Sequence, residues 1–220
     1  MPQKFQTLKK AKRLKKSSQK WLLRQINDPF VEKAKLEGWR SRAAFKIIEV
    51  DTKFKIFKKG KIVIDLGAAP GGWSQYAVTK VGEGNVFGID LLPIEPIPGV
   101  KFFQADFFES DLISLVGKKC DVLLSDMAAN TTGDHQTDHL RIIALLEEAL
   151  FLAEKILNKD GVFVGKIFQG GSSDEIIKKL RKNFSIVKYF KPDSSRKDSS
   201  ETYLVALGFS GVAAFTGTNL

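Results

Sequence analysis

At 220 residues the chain is long enough for one well-buried domain and short for two, and its 43% hydrophobic and 27% charged composition is ordinary for a globular protein. No apolar run reaches the ~20 residues that span a bilayer, and no signal-peptide pattern opens the chain. The single cysteine, Cys120, excludes an internal disulfide and a Cys-based zinc site, so a reducing, cytoplasmic setting is expected.

The formal charge of +10 is lopsided. Nine Lys and Arg residues precede the first acid, Asp28, and the remainder carries 26 basic against 25 acidic residues. Residues 1–24 thus read as a basic arm. Such an arm suits a polyanion through phosphate contacts and counterion release. The lesser alternatives are a solvated tail and, lower still because its cations are mostly Lys rather than Arg, an organellar presequence.

Beyond the arm, "SRAAFKIIEVDTKF" (41–54) has apolar residues at helical spacing, with Ser41 a candidate cap. Val-, Ile- and Phe-rich runs follow at 62–66, 85–89, 100–104, 121–125, 161–168, 185–190 and 202–209. Helical stretches separate most of them, the clearest at 138–157 and 173–183. This alternation predicts an α/β sheet with both faces covered. The last two runs are joined by "KPDSSRKDSS" without a helix, so an antiparallel hairpin is expected there rather than a parallel crossover. The sum is a Rossmann-like sheet of methyltransferase type: seven strands, mostly parallel, one antiparallel strand at the C-terminal hairpin, and helices on both faces. Residues 25–209 form this domain, and the uncharged 210–220 a loose tail.

The first strand run enters a glycine-rich turn, "IVIDLGAAPGGWS" (62–74). A P-loop would need a lysine within the turn to reach phosphates, and none is there, Trp73 following Gly72 instead, which excludes that reading. A dinucleotide fingerprint would need glycine where Ala69 stands, which weakens that reading. S-adenosylmethionine has no phosphate and bears a positive sulfonium. Asp65 and the tight backbone at Gly67, Gly71 and Gly72 fit it better.

Acids end the next strands as well: Asp90 is placed to accept from a ribose diol, Asp106 from an adenine amino group, and Asp126 closes the fourth. One strand-end aspartate is commonly a turn former or helix cap. Four around one glycine-rich turn point to a ligand crevice at the carboxyl edge of the sheet.

Lys166 lies inside the otherwise apolar "GVFVGKIFQG". It is either a strand-end lysine that snorkels to water or a buried ammonium paired with Asp126 on the neighbouring strand. Lys46 and Glu201, which opens the last strand, are further candidates. His135 and His139 have the i,i+4 spacing of metal ligands, but no third ligand is evident. Arg42, Arg196 and Ser199 flank these stretches and are candidates for holding a phosphate, with solvated charge the competing expectation for each.

The segments "RSRAAFK", "DLGAAPGGWSQYA", "GIDLLP", "SDMAANTTG", "GVFVGKIFQG" and "KPDSSRKDSSETYLVALGF" together resemble the FtsJ/RrmJ family of RNA ribose 2′-O-methyltransferases, specifically the bacterial enzymes of large-subunit ribosomal RNA. The resemblance runs from about residue 20 to 209. It implies a catalytic set of Lys46, Asp126, Lys166 and Glu201. It also implies S-adenosylmethionine contacts at Gly71, Trp73, Asp90, Asp106 and Asp126. Further implications are a uridine 2′-hydroxyl in large-subunit rRNA as acceptor, the assembled subunit as substrate, a monomer, and chemistry that needs no metal. One departure is Ala129, where the family often has proline. Transfer to tRNA or an mRNA cap, or a non-catalytic RNA-binding role in ribosome assembly, are the competing expectations.

Overall fold

Strands alternating with helices leave two sheet faces to be covered, and the chain covers both. The computed structural model describes residues 16–128, 134–168, 174–196 and 199–211. Its elements run α1 (Lys16–Ile26), α2 (Pro29–Leu36), α3 (Ala44–Phe54), β1 (Val63–Leu66), α4 (Gly72–Val81), β2 (Val86–Asp90), β3 (Val100–Gln104) and α5 (Leu112–Val116). There follow β4 (Cys120–Ser125), α6 (His135–Ile156), β5 (Leu157–Phe168), α7 (Asp174–Asn183), β6 (Phe184–Phe190) and β7 (Glu201–Phe209).

The described strands form a single sheet of order β3-β2-β1-β4-β5-β7-β6. All are parallel except β7, which lies antiparallel between β5 and β6. The chain winds outward from β1 through β2 and β3, then restarts on the other side at β4. The crevice is therefore set where β1 and β4 adjoin, at their carboxyl ends.

Side chains alternate across the strands and sort into two cores. Ile64, Leu66, Leu123 and Phe163 pack under α6 and α7, whereas Val63, Val122, Val164 and Tyr203 pack under α3 and α4. Residues 16–24 of the basic arm are helical, in α1; 1–15 and 212–220 lie outside the described residues.

One local expectation is corrected. Ser41 does not cap α3: the N-cap is Ala43, without a side-chain bond, and the Ser41 hydroxyl is buried without a partner. Its backbone carbonyl instead takes the Ala44 N–H in a turn. α2 does begin conventionally, with the Asp28 side chain accepting from the Phe30 N–H and Pro29 in the first turn, where its missing donor costs nothing.

α3 carries a candidate catalytic lysine, so its anchoring matters. Asp51, buried near its C-terminal end, accepts from the Phe57 N–H at 3.1 Å and from the Tyr76 hydroxyl on α4 at 2.8 Å. Removing a buried acceptor leaves both donors unsatisfied, each at about 1–3 kcal/mol. Asp51→Ala should therefore lower the urea unfolding free energy by about 2–5 kcal/mol. Tyr76→Phe, which keeps the Phe57 bond, should lose distinctly less. Equal losses would show that the backbone bond contributes nothing.

Candidate active site

The glycine-rich turn is shaped by close approach. Gly67 has φ 70°, and a Cβ there would lie 2.7 Å from Met127 Cγ. Gly71, with φ 105°, caps α4 in the left-handed region, where a side chain would be strained. Asp90, at the end of β2, holds the turn from across the crevice: it accepts from the Ala69 N–H at 2.9 Å and the Leu92 N–H at 2.8 Å. Each oxygen keeps a second lone pair for a ligand.

Above the turn lies a cleft of about 370 Å³ lined by Gly67, Asp90, Asp106, Phe107, Asp126 and Met127, among others. Three of the four strand-end acids thus share one cavity. The fourth, Asp65, is 1% exposed and points down among α4 side chains, accepting from the Ser74 hydroxyl at 2.7 Å. Its other oxygen has no partner within the protein. Asp65 lines a second, small cavity of about 20 Å³, together with Ser41, Gly72, Trp73 and Asp126.

Burial pushes the Asp65 carboxyl up to about 7; the Ser74 bond opposes this, and the charges of Asp126 and Asp90 add to it.

Trp73 is committed elsewhere. Its indole N–H donates to the Ala43 carbonyl at 2.9 Å, and its ring packs 5.5 Å from that of Tyr203.

The catalytic candidates converge on the α3/α4 side of the same edge. Lys166, 7% exposed, donates to Asp126 Oδ1 at 2.9 Å and to the Asp126 carbonyl at 2.6 Å. It is a buried, paired ammonium and does not snorkel. Lys46 grips both oxygens of Glu201, at 2.8 and 2.9 Å, and its ammonium lies 4.0 Å from Asp126 Oδ2. Two lysines and two carboxylates therefore alternate around one point. Burial alone would raise the Asp126 carboxyl, but the charges of Lys166 and Lys46 and hydrogen bonds from Lys166 and Tyr203 hold it below the usual range.

Sequence reasoning missed Tyr203. Its hydroxyl donates to Asp126 Oδ1 at 2.7 Å, and Lys46 Nζ sits 5.8 Å from its ring centroid. Burial and the adjacent charges of Asp126 and Glu201 raise its pKa well above the ordinary value, so it stays a neutral donor. A signal existed: Tyr203 is two residues from Glu201 on one strand, hence on the same face. It pairs with Lys166 across the sheet. Ser195 was also missed; its hydroxyl donates to Glu201 Oε1 at 2.9 Å.

The two arginines of "RSRAAFK" part ways. Arg40 donates to the carbonyls of Pro70, Glu95 and Pro96 behind the glycine-rich turn. Arg42 runs to Asp28 and the Ser194 carbonyl. Ser199 accepts from the Glu201 N–H at 3.2 Å and fixes the entry to β7. Ala129 and the side chains of His135 and His139 lie outside the described residues, although both histidines sit in the first turns of α6. Among the described residues, no group of three or more His, Cys, Asp or Glu is arranged to hold a metal, and no helix is long and apolar enough to cross a membrane.

A parallel sheet closed by a reversed seventh strand, with an acid-lined crevice and a buried lysine at its edge, defines a methyltransferase of the doubly wound class. The chain belongs to the FtsJ-like methyltransferase family, whose model matches residues 39–209. It is 52% identical over 214 residues to a ribosomal RNA large subunit methyltransferase E of Rickettsia bellii, covering 93% of this chain and 94% of that one. It is 54% identical over 206 residues to the protein of the same name in Granulibacter bethesdensis, covering 92% and 89%. Among solved structures, a Plasmodium falciparum protein described as a ribosomal RNA methyltransferase superposes with a TM-score of 0.70 at 31% identity, over 79% of this chain and all of that one.

The Asp65 carboxyl supplies a test of this electrostatic arrangement. The folded protein holds its proton more tightly than the unfolded chain does, so stability falls as pH rises through the window between the two pKa values. Relative to Asp65→Asn, the wild type should lose stability between about pH 4 and pH 7, by on the order of 4 kcal/mol in all. Urea midpoints across that range measure it; parallel curves for the two proteins would mean that Asp65 is ionised throughout.

Proposed function

We propose that the protein transfers a methyl group from S-adenosylmethionine to the ribose 2′-hydroxyl of a uridine in large-subunit ribosomal RNA, acting on the assembled subunit. The observation that carries this reading is the buried Lys166–Asp126 pair facing the Lys46–Glu201 pair beside the acid-lined cleft. A module that only binds RNA does not require four partly buried charges around one point. The names of the relatives supply the RNA class.

The residues fit the cofactor. Its ammonium end matches the unpartnered oxygen of Asp65 and the unpartnered hydroxyl of Ser41, which line one small cavity. Asp90 would hold its ribose diol and Asp106 its adenine amino group, while Gly71 and Trp73 form the turn beneath it. When bound, it supplies a methyl group activated on a sulfonium. No metal is needed for that step.

The protein's part is to present the acceptor. A ribose hydroxyl is a weak nucleophile because its proton must leave as the new bond forms. Lys166 orients the hydroxyl. Its neutral amine form, having first given a proton to solvent, takes the hydroxyl proton as the oxygen–methyl bond forms and the methyl–sulfur bond breaks. Asp126 fixes Lys166 through two hydrogen bonds, one to its carboxylate and one to its carbonyl. Lys46 and Glu201 hold the ribose from the opposite side, and alignment of the two reactants supplies much of the acceleration. A monomer that acts in the cytoplasm completes this reading.

Lys166→Ala should reduce transfer of labelled methyl to undermethylated large subunits by ~10²–10⁴-fold while leaving S-adenosylhomocysteine affinity nearly intact. Lys166→Arg should not rescue it, because a guanidinium stays charged and has a different shape. Near-normal turnover in the alanine variant would remove Lys166 from the chemistry. Calorimetry with S-adenosylhomocysteine tests the cleft separately: Asp90→Ala, losing a charged acceptor worth ~1.5–3 kcal/mol, should bind at least tenfold more weakly. An unchanged dissociation constant would exclude Asp90.

A further inference from the structure

The carboxyl edge of the sheet carries the site, and its amino edge carries a different chemistry. The turn before β1 holds Lys58, Lys59 and Lys61, the turn before β4 holds Lys118 and Lys119, and the first residues of β5 include Lys159. These three strands are neighbours, so their starts fall within about 10 Å of one another. All six lysines are exposed. Against them stand Asp121 and Asp160.

Asp121 stitches the three segments together. Its Oδ1 accepts from Lys61 Nζ at 2.9 Å and from the Asn158 amide at 3.3 Å, and its Oδ2 from the Ile62 N–H at 2.9 Å. Its own N–H donates to the Ile62 carbonyl at 2.8 Å. The turn before β1 is closed locally as well: the Lys58 carbonyl takes the Lys61 N–H at 3.1 Å, and the Gly60 N–H donates to the Val81 carbonyl at the end of α4 at 2.8 Å. Of the six lysines, Lys61 alone has an ion pair among the described residues. Like charges gathered this way repel one another and destabilise the folded chain, a cost that a bound anion removes.

The cations of the catalytic edge are neutralised within the protein: Lys166 by Asp126, Lys46 by Glu201, and Arg42 and Arg196 by Asp28. Attraction for a polyanion must come from elsewhere on the molecule. β4 is 6 residues long, so at ~3.3 Å per residue the two edges stand roughly 20 Å apart. A phosphate held at one edge is therefore out of reach of the other. Lysine is a point charge on a flexible stem, which suits a phosphate backbone of no fixed register, and an A-form helix is recognised by shape and phosphates more than by base edges. None of the large exposed apolar side chains lies on these three segments, where a protein partner would need an anchor.

We propose that the amino edge of the sheet is a second RNA-binding surface, which takes the phosphate backbone of a ribosomal RNA helix other than the segment held at the catalytic edge. This rests on the ribosomal RNA reading above. The probe is the undermethylated large subunit, assayed for binding across a salt series and for methyl transfer on the same preparations. Lys58→Ala/Lys59→Ala and Lys118→Ala/Lys119→Ala should each raise KM for the subunit about tenfold with kcat unchanged. Each pair should also flatten the log–log salt dependence of binding by about 1.4–1.8, the loss of two phosphate contacts, with S-adenosylhomocysteine affinity retained. Lys58→Arg/Lys59→Arg should keep the slope. Lys178→Ala/Lys179→Ala, which removes the same charge from the exposed face of α7, should change neither KM nor slope.

Cys120 is buried, so the thiol of Lys59→Cys can be labelled selectively. A photocrosslinker there, on bound subunits, should mark a ribosomal RNA helix distinct from the one that holds the methylated uridine. Unchanged KM and slope, an equal effect from the α7 pair, or crosslinks to ribosomal protein alone would overturn the proposal. Normal methyl transfer with lysine-independent binding would overturn it and leave the enzymatic reading standing. Lysine-dependent binding and RNA crosslinks from a wild type that transfers no methyl would sustain the surface and overturn the enzymatic reading instead.

Discussion

The carboxylate of Asp126 is the interaction on which the site depends. It stands just past the carboxyl end of β4, beside the point where the winding of the sheet reverses, and receives Lys166, Tyr203 and the field of Lys46. A buried ammonium without such a partner would cost several kcal/mol, so Lys166 could not sit near the carboxyl end of an apolar strand alone. The same carboxylate lines the cleft together with Asp90 and Asp106. On the proposed reading, cofactor side and acceptor side meet at this one residue.

Two buried acids near one another are driven in opposite directions. Asp126, with two lysines and a tyrosine around it, is held ionised below the usual range. Asp65, behind it, has only a serine and is pushed up to about 7. Pairing separates them, since burial acts upward on both. One is a fixed anion that holds Lys166, and the other retains an unsatisfied oxygen.

Much of this was legible in the sequence, and what was missed has physical reasons. The seven strand runs and the hairpin follow from apolar runs and from a helix-free connection, and the observed strands differ from them by a few residues at their ends. The largest shift is at β5, which starts at Leu157 because "NKDG" continues the strand in spite of its charge. Asp90, Asp106 and Asp126 share a cleft because parallel strands bring their carboxyl ends to one edge. That follows from topology alone. Asp65 was grouped with them although it sits within β1, one residue before the strand's end, and alternation turns it towards α4.

The misses are partnerships between segments distant in sequence. Ser41 looked like a cap because local chemistry favours serine there, but tertiary packing sets its hydroxyl against Gly72. Arg42 and Arg196 are 154 positions apart, and nothing in either segment announces that both would be held by Asp28. Tyr203 read as a core aromatic, which its ring is; its hydroxyl acquires a role only once β7 is laid against β5.

The central claim is that this constellation methylates a ribose in the large ribosomal subunit. Mass-spectrometric mapping of ribose methylation in RNA from cells with and without the gene tests it most directly. The account predicts that one 2′-O-methyluridine disappears from large-subunit rRNA when the gene is removed and returns when it is restored. An unchanged large-subunit methylation pattern, with or without a loss in tRNA or capped RNA, would contradict it.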